Sequence, residues 1–143
     1  MKKLGIIGLL SLICGIFSCC QAQDKGFQSV SVEDFEKVIA DTAVVRLDVR
    51  TAEEFADGHI EGAMNIDVLE DDFGQKAVAI LPKQKVIAVN CRSGKRSKKA
   101  AAILVRKGYK VVELDDGYNG WVAAGKKVVK PTATTAAPTA KKK

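Results

Sequence analysis

The stretch Val86-Ile87-Ala88-Val89-Asn90-Cys91-Arg92-Ser93-Gly94-Lys95-Arg96-Ser97 decides how this chain is read. An apolar run of strand length ends on a cysteine. An Ala- and Leu-rich helical pattern follows at once. That order predicts a buried strand delivering Cys91 to its carboxyl end, then a loop whose N–H groups point at the sulfur. The helix behind the loop adds the positive end of its dipole. Each effect favours an anion at this place: a thiolate, a persulfide or an oxyanion substrate.

Working outward, the flanking pattern alternates strands and helices. Gln28 to Val30 is a short strand candidate. Ser31 caps a helix carrying Phe35, Val38 and Ile39 on one face. Thr42 to Asp48 reads as a buried strand, and Thr51 opens a short helix that stops at Gly58. Ala63 to Ile66 is extended, and Glu70 to Ile80 is helical up to Pro82. Lys85 to Asn90 is the strand before Cys91. The helix Lys95 to Lys107 has an apolar face of Ala100, Ala101, Ile103 and Leu104 and ends at Gly108. Tyr109 to Leu114 is a last strand, Asp116-Gly117 a turn, and Gly120 to Ala124 a closing helical turn. Strands that are apolar throughout, separated by helices, predict an α/β fold: a central, mainly parallel sheet with helices on both faces, three layers in all. Ligands in such folds bind beyond the carboxyl ends of the strands, where Cys91 is expected.

The 143 residues make room for one domain, and 47% apolar with 28% charged residues is ordinary globular composition. The net charge of +6 is misleading. Six of the 23 basic residues, Lys2, Lys3, Lys130 and Lys141 to Lys143, lie in the leader and tail, which leaves 17 against 17 acidic ones. A neutral domain argues against a nucleic-acid or membrane-surface role. Within it the charge is uneven. No acidic residue lies between Asp72 and Glu113, while eleven Lys or Arg do. Arg92, Lys95 and Arg96 are expected to form an electropositive site around the sulfur, and Lys98 and Lys99 a solvated helix face.

Residues 1–22 read as an export leader: Lys2-Lys3, then an apolar stretch of 14 residues from Leu4 to Phe17. Its end is open to two readings. Cys20-Gln21-Ala22 suits cleavage after Ala22 and release into a bacterial periplasm. Ile16-Phe17-Ser18-Cys19 suits a lipoprotein box, with a lipid anchor at Cys19 as the chain's one membrane contact. An uncleaved anchor is a third reading, disfavoured by the short apolar run. Residues 23–27 read as a spacer, 28–129 as the domain, and 130–143, rich in Ala, Thr, Pro and Lys, as a disordered tail. Cys14, Cys19 and Cys20 belong to the leader, so Cys91 is alone in the domain. A lone thiol in an oxidising compartment marks a reactive group.

Five segments in this order resemble the single-domain rhodanese (thiosulfate sulfurtransferase) family: Leu47-Asp48-Val49-Arg50; Glu54-Phe55; Gly58-His59-Ile60-Glu61-Gly62-Ala63-Met64-Asn65-Ile66; Cys91 to Ser97; and Leu114-Asp115-Asp116-Gly117-Tyr118-Asn119-Gly120-Trp121. The likeness covers most of residues 28–125. It departs at Asp116, where the family often has the first of two glycines. The resemblance implies a rhodanese-like fold and sulfane-sulfur transfer, with Cys91 attacking the outer sulfur of thiosulfate or a related donor and carrying it as a persulfide to cyanide or a thiol acceptor. Arg92, Ser93, Gly94, Lys95, Arg96 and Ser97 would bind the small sulfur-containing anion through N–H groups and charge. Asp48, Arg50 and His59 are read as structural support, and Trp121 as core. No metal-ligand spacing or phosphate-binding glycine motif is present, so neither a metal nor another cofactor is expected. Cysteine phosphatases place Arg after five intervening residues. Here Arg96 follows Cys91 after four, which suits a sulfur-centred group better than phosphatase or arsenate reductase chemistry. A reading of another class is a sulfur-carrier or redox-sensing module with little turnover of its own.

Overall fold

A computed structural model describes residues 26–131. The expected leader with Cys19 and Ala22, and the tail from residue 132, lie outside the described residues. In chain order the elements are β1 (Gln28–Val30), α1 (Val32–Ile39), β2 (Val45–Asp48), α2 (Ala52–Ala56), β3 (His59–Ile60), β4 (Met64–Asn65), α3 (Phe73–Ile80), β5 (Ile87–Asn90), α4 (Lys95–Arg106), β6 (Val111–Leu114), α5 (Gly117–Ala123) and β7 (Val128–Val129).

Five strands form one parallel sheet in the order β1-β6-β5-β2-β4. The expected α/β fold with a parallel sheet between helices is what the structure has. Strand β5 explains why both faces are covered. Its side chains alternate, and every residue from Ile87 to Asn90 is buried. Ile87, Val89 and Cys91 pack with Phe73 and Ala77 of α3 and with Ala100, Ala101 and Leu104 of α4. Ala88 packs the other way, with Val32, Phe35 and Ile39 of α1 and Trp121 of α5. Each apolar residue on a two-sided strand has a helix to meet, so no polar alternation is needed. Trp121 is core as expected. Its ring stands edge-on to Phe35, and its indole N–H donates to the Lys127 carbonyl at 2.8 Å.

Three boundaries differ from the sequence reading. The strands are shorter, starting at Val45, Ile87 and Val111 rather than at residues 42, 85 and 109. Helix α3 starts at Phe73, because Asp67 turns the chain first by accepting the Leu69 N–H at 2.8 Å. Helix α5 starts three residues early, at Gly117, because its first N–H groups find acceptors outside the helix. Tyr118 N donates to the Cys91 carbonyl at 2.7 Å and Asn119 N to the Arg92 carbonyl at 3.0 Å. The antiparallel pair of β3 with β7 was not expected from the sequence.

Candidate active site

The carboxyl ends of β2, β5 and β6 converge on Cys91. At β5 the chain leaves the sheet, turns through Arg92 and Ser93, and enters α4 at Gly94. Gly94 has φ +96°, and a Cβ built there would collide with the Asp115 backbone carbonyl. Glycine is therefore required twice over, by conformation and by space. The Gly94 N–H donates to Cys91 Sγ at 3.1 Å. No side chain caps α4, and the first-turn N–H groups of Lys95, Arg96 and Ser97 have no acceptor within the helix. Meanwhile the loop's own carbonyls, Cys91 O and Arg92 O, are turned away to α5. Acceptors face one side and donors the other, which is what an anion site needs.

The Asp116 departure is accommodated. Asp116 lies in the right-handed region, and Gly117, at φ +63°, supplies the left-handed residue that the turn against Arg92 needs.

The basic residues divide into two kinds. Arg92, Ser93 and Lys95 are exposed at the mouth of the loop. Arg96, expected to hold a substrate, instead forms a fork to Glu54 of α2, with Nη1 2.7 Å from Oε2 and Nη2 2.8 Å from Oε1. The fork uses two of the five guanidinium N–H donors and pairs its charge with Glu54. Its hydrogen bonds, with those from Thr51, outweigh burial and lower the Glu54 pKa to about 2. Arg92 Nη1 is 3.9 Å from the same carboxylate and remains 63% exposed. Lys98 corrects the expectation of a solvated face. Its Nζ lies 2.7 Å from Asp115 Oδ1 and 3.4 Å from Glu113, and donates to the Gly94 carbonyl at 3.3 Å. Burial opposes its charge, but the bond to Asp115 and the charge of Glu113 hold its pKa above the usual lysine value. Lys99 is exposed as expected.

Ser97 does not face the loop mouth. It is fully buried, with Oγ 3.3 Å from Cys91 Sγ and donating to Glu113 Oε1 at 2.5 Å. Sequence reasoning missed Glu113. Its place on β6 two residues after core Val111 was the available signal, since period-two alternation puts it on the same buried face.

Asp48 and Arg50 form the expected buried pair. Arg50 Nη2 is 2.8 Å from Asp48 Oδ2 and donates to the Gly58 carbonyl at 2.7 Å, while its guanidinium lies 4.0 Å from the Tyr118 ring centroid. Asn65 donates to the carbonyls of Asp48 and Arg50. Thus β2, the loop before β3, and α5 are locked together. His59 is buried, stacked on Phe55 at 3.7 Å, with Nδ1 3.1 Å from the Phe55 carbonyl oxygen. These contacts tie the His59 ring to α2. Beside the loop, Arg50, Glu54, Asp57, Arg92, Tyr118 and Asn119 line a shallow cleft of about 190 Å³.

Comparison with known proteins agrees with this geometry. The family profile of the Rhodanese-like domain matches residues 31–124. A sulfurtransferase of Allochromatium vinosum is 32% identical over 104 residues, covering 71% of this chain and 94% of that protein. The mitochondrial protein HIGH ARSENIC CONTENT 1 of Arabidopsis thaliana is 37% identical over 89 residues, covering 55% of this chain and 53% of that one, about half its length. The crystal structure of a rhodanese-related protein from Thermoplasma volcanium superposes with TM-score 0.65 and 30% identity, covering 73% of this chain and all of that one. With the parallel sheet, the glycine-entered helix and the cysteine at its N-terminus in place, the chain belongs to the Rhodanese-like domain family.

Proposed function

We propose that this protein is a sulfurtransferase that moves sulfane sulfur from thiosulfate or a related donor to cyanide or a thiol through a persulfide on Cys91. The observation that carries this reading is the sulfur's position, 3.1 Å from the Gly94 N–H at the uncapped start of α4. In the first step Cys91 Sγ attacks the donor's outer sulfur. A new S–S bond forms, the bond to the donor's central sulfur breaks, and sulfite leaves with the electron pair. In the second step the acceptor takes the outer sulfur and Sγ regains its charge. The attacking thiolate and the persulfide are both anionic, and the same N–H groups would serve both.

Cys91 itself is fully buried. Loading extends it by one S–S bond of about 2.05 Å, which moves the reactive atom toward the loop mouth and the cleft beside Arg92. The exposed Arg92 and Lys95 meet the oxygens of an incoming anion there. No cofactor, metal or nucleic acid enters this scheme. The leader is consistent with export, either to the periplasm or to a lipid anchor at Cys19, and the mass of the mature N-terminus distinguishes the two.

The test is thiosulfate:cyanide turnover by the wild type and by Cys91→Ala. Activity in the wild type alone supports the reading, and equal activity in both removes Cys91 from it. A screen of cyanide, glutathione, dithiothreitol and thioredoxin then identifies the acceptor class. Loading without discharge to any of them would favour a carrier role.

A further inference from the structure

A carboxylate sits behind the sulfur, on the side away from the loop mouth, and the sulfur-transfer scheme does not use it. Glu113 is fully buried. Burying a carboxylate is costly unless it is well paired. Its partners are few and specific. Ser29 of β1 donates to Oε2 at 2.6 Å, Ser97 of α4 donates to Oε1 at 2.5 Å, and Lys98 of α4 lies 3.4 Å away while also holding Asp115. From β5, Cys91 reaches it through Ser97. Arg96, two residues earlier on α4, is paired with Glu54 and lies within Coulombic reach of Cys91.

The direction of these bonds matters. A serine hydroxyl has one proton. That of Ser97 is directed to Glu113, so toward Cys91 the same oxygen can only accept, and it accepts from the thiol. A thiol proton is therefore favoured on this side of the sulfur. When Sγ becomes an anion, the Ser97 proton must turn toward it, and Glu113 then keeps Ser29 and Lys98 alone. A second negative charge so close also disfavours the first.

We propose that Glu113, acting through Ser97, is a positioning residue that holds the resting Cys91 in its protonated form and disfavours the bare thiolate. The functional consequence rests on the sulfur-transfer reading. Loading moves the negative charge from Sγ to the outer sulfur, one atom farther from Glu113 and nearer the loop mouth. Glu113 therefore destabilises the empty thiolate more than the loaded persulfide and biases the site toward carrying sulfur.

The experiment is site-specific alkylation of Cys91 by iodoacetamide across pH, read by peptide mass, in wild type and Glu113→Gln. The amide keeps an acceptor oxygen for one serine, presents an N–H to the other, and removes the charge. The midpoint of the profile is expected to move to lower pH by about one unit. An unchanged or higher midpoint in a folded variant overturns the proposal. Because Glu113→Gln could fail to fold, the wild type supplies a second readout. The ¹³C resonance of the Glu113 carboxyl should respond at the Cys91 midpoint and lose that response once Cys91 is alkylated. A carboxyl resonance blind to Cys91 overturns the proposal without any variant. Neither readout needs a sulfur donor. If the midpoint shifts but neither protein loads sulfur from thiosulfate, the coupling stands and the sulfur-transfer reading falls.

Discussion

The two flanks of Cys91 are built on opposite principles. On the mouth side the sulfur meets backbone: the Gly94 N–H, the uncapped start of α4, and exposed basic side chains beyond. On the inner side it meets a serine whose proton is directed to a buried carboxylate. The first flank favours negative charge on sulfur and the second favours a proton. The contrast teaches that the cysteine is not simply activated. The two flanks oppose each other across one atom, and adding a sulfur shifts charge from the inner flank to the outer one.

Four substitutions probe this contrast, in order of decreasing effect. Cys91→Ala removes the atom that both flanks address. Turnover is expected to fall on the order of a thousandfold or more, with the urea midpoint little changed, and residual turnover near wild type would contradict the assignment. Gly94→Ala breaks the mouth side alone. Its positive φ and the collision with Asp115 are expected to lower stability by roughly 1–3 kcal/mol and to slow sulfur loading at least about tenfold by displacing the N–H. A variant with unaltered unfolding midpoint and loading rate would mean that the loop does not depend on this turn.

Glu54→Gln sharpens the outer flank by releasing Arg96. The Glu54 pKa falls from 4.5 in the reference state to about 2 in the fold, Arg96 being the largest cause. A lowered carboxylate pKa stabilises the fold fully above the unfolded value, and that contribution is lost as pH falls from about 4.5 through about 2. In urea unfolding between these limits, the wild type should lose stability with acid more steeply than Glu54→Gln. Parallel curves would show that the fork contributes nothing. Arg92→Ala should have the smallest effect. Its side chain is 63% exposed, so KM for thiosulfate should rise by about fivefold or less, the scale of an exposed ionic contact of up to about 1 kcal/mol. The difference should shrink in high salt, with kcat unchanged. A drop in kcat instead would place Arg92 at the reacting atoms.

What could be read in the sequence follows the same division. The mouth side is local. Strand, cysteine, glycine and helix are consecutive between Val86 and Ser97, and consecutive residues carry their own geometry. The parallel sheet followed from two-sided apolar strands such as Ile87–Asn90, the buried Asp48–Arg50 pair from the residues themselves, and the structural reading of His59 from the resemblance. The inner side joins Ser29, Cys91, Ser97 and Glu113, which are brought together only by the register of β1, β6 and β5. Within Tyr109 to Leu114 alternation puts the glutamate on the face of Val111, but the sequence does not show which groups would pair a carboxylate there. Only the helix above it makes that face an interior. The pairings of Arg96 and Lys98 were hidden for the same reason, since their partners Glu54 and Asp115 are distant in sequence. The β3–β7 pair has two residues a side, too few to show any periodicity.

The central claim is that Cys91 carries sulfur, and intact-protein and peptide mass measurement after incubation with thiosulfate tests it most directly. The expected result is a gain of one sulfur atom located on Cys91 and removed by cyanide with formation of thiocyanate. Full sulfurtransferase activity with Cys91 never gaining that mass would contradict it.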